Sequence, residues 1–269
     1  WSGYDLELVV LVVFFLFIRR HPRPTESRSS AASDWYTRPG FDDQARRDDA
    51  LERVAQELRA QGVRAHVICA DLSERDAPRR IVEATDALDL EIEFLVNNAG
   101  FGSHGRFDEL ELGRELAMID VNIGALMQLT HLYLEPMLRR RSGRILNVGS
   151  VAGFQAGPFM ATYYASKAFV NHWTEALAFE LRGTGVTATV SCPGATETEF
   201  AEAAGMQGSK LTSRGTLAGA AEVALHGYRA MMAGKTISVV GWRNAALAQS
   251  SRVAPRSVVR RVAAKLNQP

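Results

Sequence analysis

The sequence predicts an α/β fold, a doubly wound and mostly parallel sheet with helices on both faces, and three observations predict it. Short runs of β-branched and apolar residues recur along the chain, stretches with helical spacing separate them, and polar or glycine-bearing turns follow several of the runs directly. Strands joined through helices of roughly ten residues or more imply right-handed crossovers and parallel neighbours.

Taken in order, residues 8–18 read Leu-Val-Val-Leu-Val-Val-Phe-Phe-Leu-Phe-Ile and are closed by Arg19, Arg20 and His21. The run is shorter than the roughly 17–25 residues that cross a bilayer. Asp5 and Glu7 stand where a secretory signal carries basic residues. Its β-branched and aromatic content reads first as a buried strand and second as a membrane-contacting stretch. Residues 22–41 are rich in Pro, Ser, Thr and Arg and keep neither the strand nor the helix period, which predicts loop or disorder.

Regular pattern begins near Asp48, where Leu51, Val54, Ala55 and Leu58 recur at helical spacing before Gly62 closes the helix. Val63, Ala65, Val67 and Cys69 alternate, predicting a strand over 63–70 that Asp71 ends. A helical stretch through Ile81 and Ala84 leads to a strand over 92–96, which runs into Asn97-Asn98-Ala99-Gly100. One long helix over 112–139 carries Asn122. A strand over 144–148, a long helix over 163–181, a strand over 186–191, a helix over 222–232 and a strand over 237–240 complete the alternation. In open parallel sheets the ligand crevice lies beyond the carboxyl ends of the strands, where Asp71, Asn98, Ser150 and Pro193 fall. Three units follow: an atypical segment 1–44, a catalytic body 45–248, and a basic amphipathic helix 249–269. In that last unit Val258, Val259, Val262 and Leu266 share a face among Arg256, Arg260, Arg261 and Lys265.

A chain of 269 residues suits one α/β domain. Thirty-one Lys and Arg balance 30 Asp and Glu, and the net charge of +1 argues against a nucleic-acid partner. The two cysteines, Cys69 and Cys192, lie in apolar runs and read as small core residues of a reducing, cytoplasmic compartment; no metal-ligand spacing is present.

Chemistry concentrates in Tyr163-Tyr164-Ala165-Ser166-Lys167 and in Ser150. Tyr163 and Lys167 stand one helical turn apart, so the ammonium shares a face with the phenol. A positive charge there favours the phenolate and moves the hydroxyl toward the range useful for acid–base work. Tyr164 lacks that offset and reads as a packing or cleft residue.

With Asp71-Leu72, Asn97-Asn98-Ala99-Gly100, Asn122, Asn147-Val148-Gly149-Ser150, Tyr163 with Lys167, and Pro193-Gly194 with Thr198, the chain resembles the short-chain dehydrogenase/reductase family over about 45–240. The resemblance implies a Rossmann-like fold and an NAD(P)-dependent oxidoreductase interconverting a ketone and a secondary alcohol. It implies a tetrad of Asn122, Ser150, Tyr163 and Lys167, with Tyr163 as acid or base, Ser150 holding the substrate oxygen, and Asn122 carrying a water that connects Lys167 to solvent. It places Asp71 at the adenine and Asn98, Ala99 and Gly100 at the adenosine ribose. Pro193, Gly194, Thr196 and Thr198 fall at the nicotinamide and pyrophosphate side. Arg46 and Arg47 stand where the family's NADP-preferring members carry basic residues, so NADP is expected over NAD, a solvated charge cluster being the other reading. Residues 199–220 would cover the substrate, with Phe154, Phe159 and Met160 opposite, which suits an apolar or acyl, lipid-like ligand. The family's habit implies a homodimer or homotetramer. The basic C-terminal face suits an acidic membrane surface, the body of the protein or a partner subunit.

One departure stands out. Residues 1–44 contain only Gly3 and Gly40 where the family carries a glycine-rich turn that cradles pyrophosphate. Either the apolar run 8–18 fills the central strand position, or the sheet carries a defect there, or a change of reading frame upstream of Ala45 replaced the segment. The second functional reading, a catalytically silent binding or scaffold protein, rests on this departure.

Overall fold

The structure, a computed structural model, describes residues 41–62, 64–198, 200, 204–206 and 217–268, with side chains described from residue 51 except those of 197 and 252. The apolar run 8–18 and all but the last residue of the stretch 22–41 lie outside these residues. Helix α1 (Phe41–Ala60) opens the described chain. Gly62 follows at φ 82°, the left-handed conformation that ends helices cheaply only at glycine. Leu51 and Ala55 are buried, whereas Val54 is exposed.

Residues 64–70 carry no regular secondary structure, in contrast to the strand their alternation predicts. Arg59 takes the Ala65 carbonyl through Nε and Nη2 at 3.0 and 2.6 Å. Cys69 is exposed, not a core residue. The physical reason is a missing neighbour: among the described residues no strand lies beside this stretch, and a lone extended segment gains no ladder.

Helix α2 (Ala77–Ala87) starts with Pro78 in its first turn and buries Ile81 and Thr85. Strand β1 (Phe94–Asn97) follows. The long helix expected over 112–139 is α3 (Leu112–Ile119), a π-type turn (Asp120–Ala125) and α4 (Leu126–Arg140). Next come β2 (Gly143–Val148), α5 (Ala161–Glu180) and β3 (Val186–Cys192). Two-residue strands β4 (Thr196–Glu197) and β5 (Ala218–Gly219) pair in parallel and tie the two ends of the 199–217 segment together. Helix α6 (Ala220–Met232), β6 (Ile237–Val239), α7 (Trp242–Val253) and α8 (Arg256–Asn267) complete the chain.

The main sheet has the order β1-β2-β3-β6, every pair parallel. Ile145 and Val190 on its two central strands are wholly buried, as continuous apolar strands covered on both faces must be. One core cluster joins Leu95 and Ile145 to Ile81, Met118, Val121, Leu129 and Met137 of the helices. A second sets Leu126 and Val170 against Val190 and Cys192. Each such aliphatic side chain contributes roughly 1.5–3 kcal/mol on burial.

Helix α8 turns inward a face only partly the one its valines suggest, with Val259 and Leu266 half-buried on it. Ala263 and Asn267 are buried, while Val258 and Val262 are 48% and 51% exposed.

Candidate active site

Three strand ends, the start of α5 and the π-type turn between α3 and α4 build the site. β2 ends at Val148, and Gly149 N–H donates to the Ser191 carbonyl at 2.8 Å, pinning the turn after β2 to β3. Ser150 is extended at φ −169°, caps the short turn Val151–Phe154, and accepts the Ala152 N–H on its hydroxyl at 3.1 Å. Asn171 of α5 grips its backbone from both sides: Nδ2 donates to the Ser150 carbonyl at 2.9 Å, and Oδ1 accepts the Ser150 N–H at 3.4 Å. The Cys192 thiol donates to the same Oδ1 at 3.4 Å. Burial pushes that thiol up to about 12, so it stays a neutral donor.

Tyr163 and Lys167 come from the start of α5. The Ser150 side chain lies beside the Tyr163 phenol and favours its anion. Lys167 Nζ stands 6.0 Å from the Tyr163 ring centroid and donates to the Val148 carbonyl at 2.7 Å. Its other two N–H groups meet no acceptor among the described residues. Burial dominates both titrations. It lowers Lys167 to about 8, the nearby Cys192 working weakly in the other direction. It raises Tyr163 to about 12, with the Ser150 side chain pulling the other way. The expected downward shift of the phenol is absent, because desolvation of the anion outweighs the partners at hand.

Asn122 lies in the π-type turn and is 1% exposed. Oδ1 accepts the Phe101 N–H at 3.0 Å, and Nδ2 donates to the Phe101 carbonyl and the Ser166 hydroxyl, both at 3.0 Å. The extra residue of the turn aims this amide at the loop after β1. A Cβ on Gly100 would stand 3.0 Å from Asn122 Oδ1 and 3.4 Å from Lys167 Nζ, so only glycine leaves the space between them open. The structure therefore brings Asn122, Ser150, Tyr163 and Lys167 together with Gly100.

The remaining predicted positions are more scattered. Asp71 Oδ1 accepts from the Ser73 N–H and hydroxyl at 2.9 and 2.7 Å in the turn before α2. Asn98 is exposed, and Ala99 and Gly100 are half-buried. The Pro193 carbonyl accepts the Val151 N–H at 3.0 Å. Thr196 donates its hydroxyl to the Gly194 carbonyl at 3.1 Å, and the Thr198 hydroxyl accepts the Phe200 N–H at 3.3 Å. Arg46 and Arg47 fall inside α1, and their side chains lie outside those described.

Of the expected cover, Phe200 packs on the Tyr163 ring at 5.1 Å between centroids. Ala204 and Met206 cluster with Met160 and Tyr164. Gly208 and Gly215 lie outside the described residues. Phe154 packs instead beside Val170 and Val190, in the core beneath the site.

Sequence reasoning missed a buried polar relay under the site. Asn97 donates to Asn147 at 2.8 Å and to Thr130 at 2.9 Å, and Asn147 donates to Thr174 at 2.9 Å. Asn97 and Asn147 are register partners across β1 and β2, a pairing visible only once the register is known.

The residues fit the nicotinamide end of a dinucleotide: spare ammonium donors, a side-chain-free Gly100, and a phenol beside Ser150. For the pyrophosphate, no glycine-rich turn opening a helix occurs among the described residues.

Residues 41–207, more than half of the chain, match the family model for short chain dehydrogenase. Ketoacyl reductase HetN of Nostoc is 35% identical over 56% of this chain and 52% of its own length. Sulfoacetaldehyde reductase 2 of Chromohalobacter salexigens is 37% identical over 58% and 62%. The chain thus spans about half to three-fifths of the curated relatives it matches. Among solved structures, one from work on 7beta-hydroxysteroid dehydrogenase stereoselectivity aligns with a TM-score of 0.71 and 26% identity, covering 81% of this chain and 84% of that one. A short-chain dehydrogenase from Sphingobium yanoikuyae in complex with NADPH aligns at 0.68 and 26%, covering 78% and 82%.

Proposed function

The chain belongs to the short-chain dehydrogenase family, and from that premise we propose that it is a nicotinamide-dependent oxidoreductase interconverting a ketone and a secondary alcohol on an apolar substrate. One observation carries the reading: Tyr163 stands beside Ser150, with the Lys167 ammonium one turn away on the same helix and 6.0 Å from its ring centroid.

The bound nicotinamide supplies the hydride for reduction or accepts it in oxidation. In reduction, Tyr163 gives its proton to the substrate oxygen, and its high pKa keeps that proton in place until the oxygen becomes basic. Ser150 fixes that oxygen beside the phenol, and Asn171 holds Ser150 from behind. Lys167 stabilises the phenolate that is left, and the gap at Gly100, flanked by Asn122 and Lys167, gives the returning proton a path. Phe200, Met160 and Met206 exclude water and favour an apolar or acyl-type ligand. The kinds of substrate named for the relatives, a ketoacyl group and a hydroxysteroid, agree with such a wall. NADP is preferred over NAD on the strength of Arg46 and Arg47, whose guanidinium forks suit a phosphate.

Titration with NADPH and then NADH, followed by nicotinamide fluorescence, tests the reading. Saturable micromolar binding is expected, tighter for NADPH, and Tyr163→Phe should keep that binding while lowering turnover roughly 10²–10⁴-fold, the usual worth of a positioned acid. A folded sample that binds neither nucleotide would instead support the silent binding protein, the reading that rests on the glycine-poor segment 1–44.

A further inference from the structure

Asn267 is two residues from the end of the sequence and yet wholly buried. Its side chain spends both ends of its amide. Nδ2 donates to the Pro158 carbonyl at 3.0 Å, and Oδ1 accepts the Tyr164 hydroxyl at 3.3 Å. Its backbone carbonyl meets His104 Nε2 at 2.7 Å. One residue of α8 thus joins three separate segments: the loop after β1, the turn before α5, and α5 itself.

Those three segments face the candidate site. The Tyr164 ring sits edge-on to Tyr163, 6.2 Å between centroids. A Cβ on Gly157 would fall 2.3–2.4 Å from three Tyr164 ring atoms, so the bare backbone of Gly157 lies flat against that ring. Two residues on, Phe159 holds φ at 66°, a conformation that favours glycine. Non-glycine residues persist there only where the surroundings over-determine them. Here the surroundings are the Gly105 N–H on the Phe159 carbonyl at 2.9 Å, the Met160 N–H on the Gly157 carbonyl at 3.2 Å, and Asn267 on Pro158.

We propose that Asn267 is a positioning residue that makes α8 the far wall of the substrate cleft, and that its grip on Tyr164 and the strained turn 157–160 sets how large a ketone the cleft admits. The proposal rests on the oxidoreductase reading for what fills the cleft, though not for the grip itself. Arrangement and chemistry agree. An amide donates from one atom and accepts on another, so it can serve two partners on opposite sides, and leaving the Pro158 carbonyl or Tyr164 hydroxyl buried without it would open the turn. Tyr164 then shifts against Tyr163, and the cleft widens on the side away from Ser150.

Two measurements test the grip and its consequence separately. Hydrogen exchange on Asn267→Ala and on Tyr164→Phe is expected to lose at least 10-fold protection at the Gly105 and Met160 amides, with β2 and β3 unchanged; unchanged exchange at Gly105 and Met160 would overturn the proposal. Steady-state reduction of cyclohexanone and of progesterone then reads the cleft. Asn267→Ala should change the ratio of their KM values by about 10-fold while each kcat stays within about two-fold, and Tyr164→Phe should act in the same direction and non-additively. A KM ratio identical to the parent's, or a fall confined to thermal stability, would make Asn267 ordinary packing. Should the parent chain turn over neither ketone, the nicotinamide titration judges the oxidoreductase reading by itself, and equilibrium dialysis of cyclohexanone and of progesterone against the same variants decides the size-selection claim in place of KM.

Discussion

Lys167 gives the sharpest prediction at the scale of single residues. Its folded pKa of about 8 lies below the ordinary 10.5. Between those values the unfolded chain holds a proton that the native chain has released, so native stability rises with pH through that window. Tyr163, raised from 10.0 to about 12, acts in the opposite sense: between those values the native chain keeps a proton the unfolded one has lost, and stability falls as pH rises. Denaturant titrations from pH 8 to pH 9 isolate the lysine, because above 9 the Cys192 thiol, raised from 9.0 to about 12, pulls stability the other way; Lys167→Met should flatten the upward slope there. In reduction the same loss of charge removes support for the Tyr163 phenolate, so kcat/KM should fall as pH rises through about 8. A descending limb near 10.5 would mean that the ammonium is not desolvated in the working site.

Asparagine was the residue type least legible in the sequence. Tyr163 and Lys167 announce themselves because a four-residue offset has a geometric meaning on a helix. Asn171 and Asn267 carry no periodic signature, and their roles exist only in the partners that the fold brings to them. Asn97 and Asn147 read as motif letters, whereas they form a buried relay across two strands.

At the scale of elements, the turn after β2 is packed too tightly to accept a single methyl group. A Cβ on Gly149 would stand 2.0 Å from Asn171 Oδ1 and 2.8 Å from Val190. Gly149→Ala is expected to cost about 1–3 kcal/mol, the usual range for overpacking. Part of that loss should return in the double variant Gly149→Ala, Asn171→Ala, measured by urea unfolding. Strict additivity would place the strain in the backbone of the turn instead of the amide behind it.

Elements with a strong period were legible: α2, α5, α6 and the four strands of the main sheet lie within a few residues of where spacing puts them. The 63–70 strand was not, since alternation reports which face a residue would take and is silent on whether a neighbouring strand exists. The face of α8 was only half legible, since Val259 and Leu266 lie on its inward side and Val258 and Val262 do not. Valines attract the eye as core, but the inward positions go to Ala263 and Asn267, the latter because it satisfies three polar groups at once.

For the whole molecule, the parallel order β1-β2-β3-β6 implies a gradient of stability. β2 and β3 are paired on both sides, whereas β1 has one paired edge among the described residues and β6 contributes three residues. Amide exchange should be slowest in β2 and β3 and faster in β1 and β6, because edge strands open by local fluctuations well below the global unfolding energy. Equal protection in β1 would show that a further strand covers its outer edge in solution.

The π-type turn at Asp120–Ala125 acts on the molecule as a change of angle. An α-helix advances roughly 100° per residue, so one additional residue rotates everything beyond it by about that amount. α3 is thereby phased to pack on α5, and α4 to pack on α2 and the sheet. Deleting any one residue of 120–125 would leave composition and hydrophobic content nearly untouched and would still turn the two halves of this long rod out of step with their neighbours, as a clock hand set one division back misreads every hour that follows.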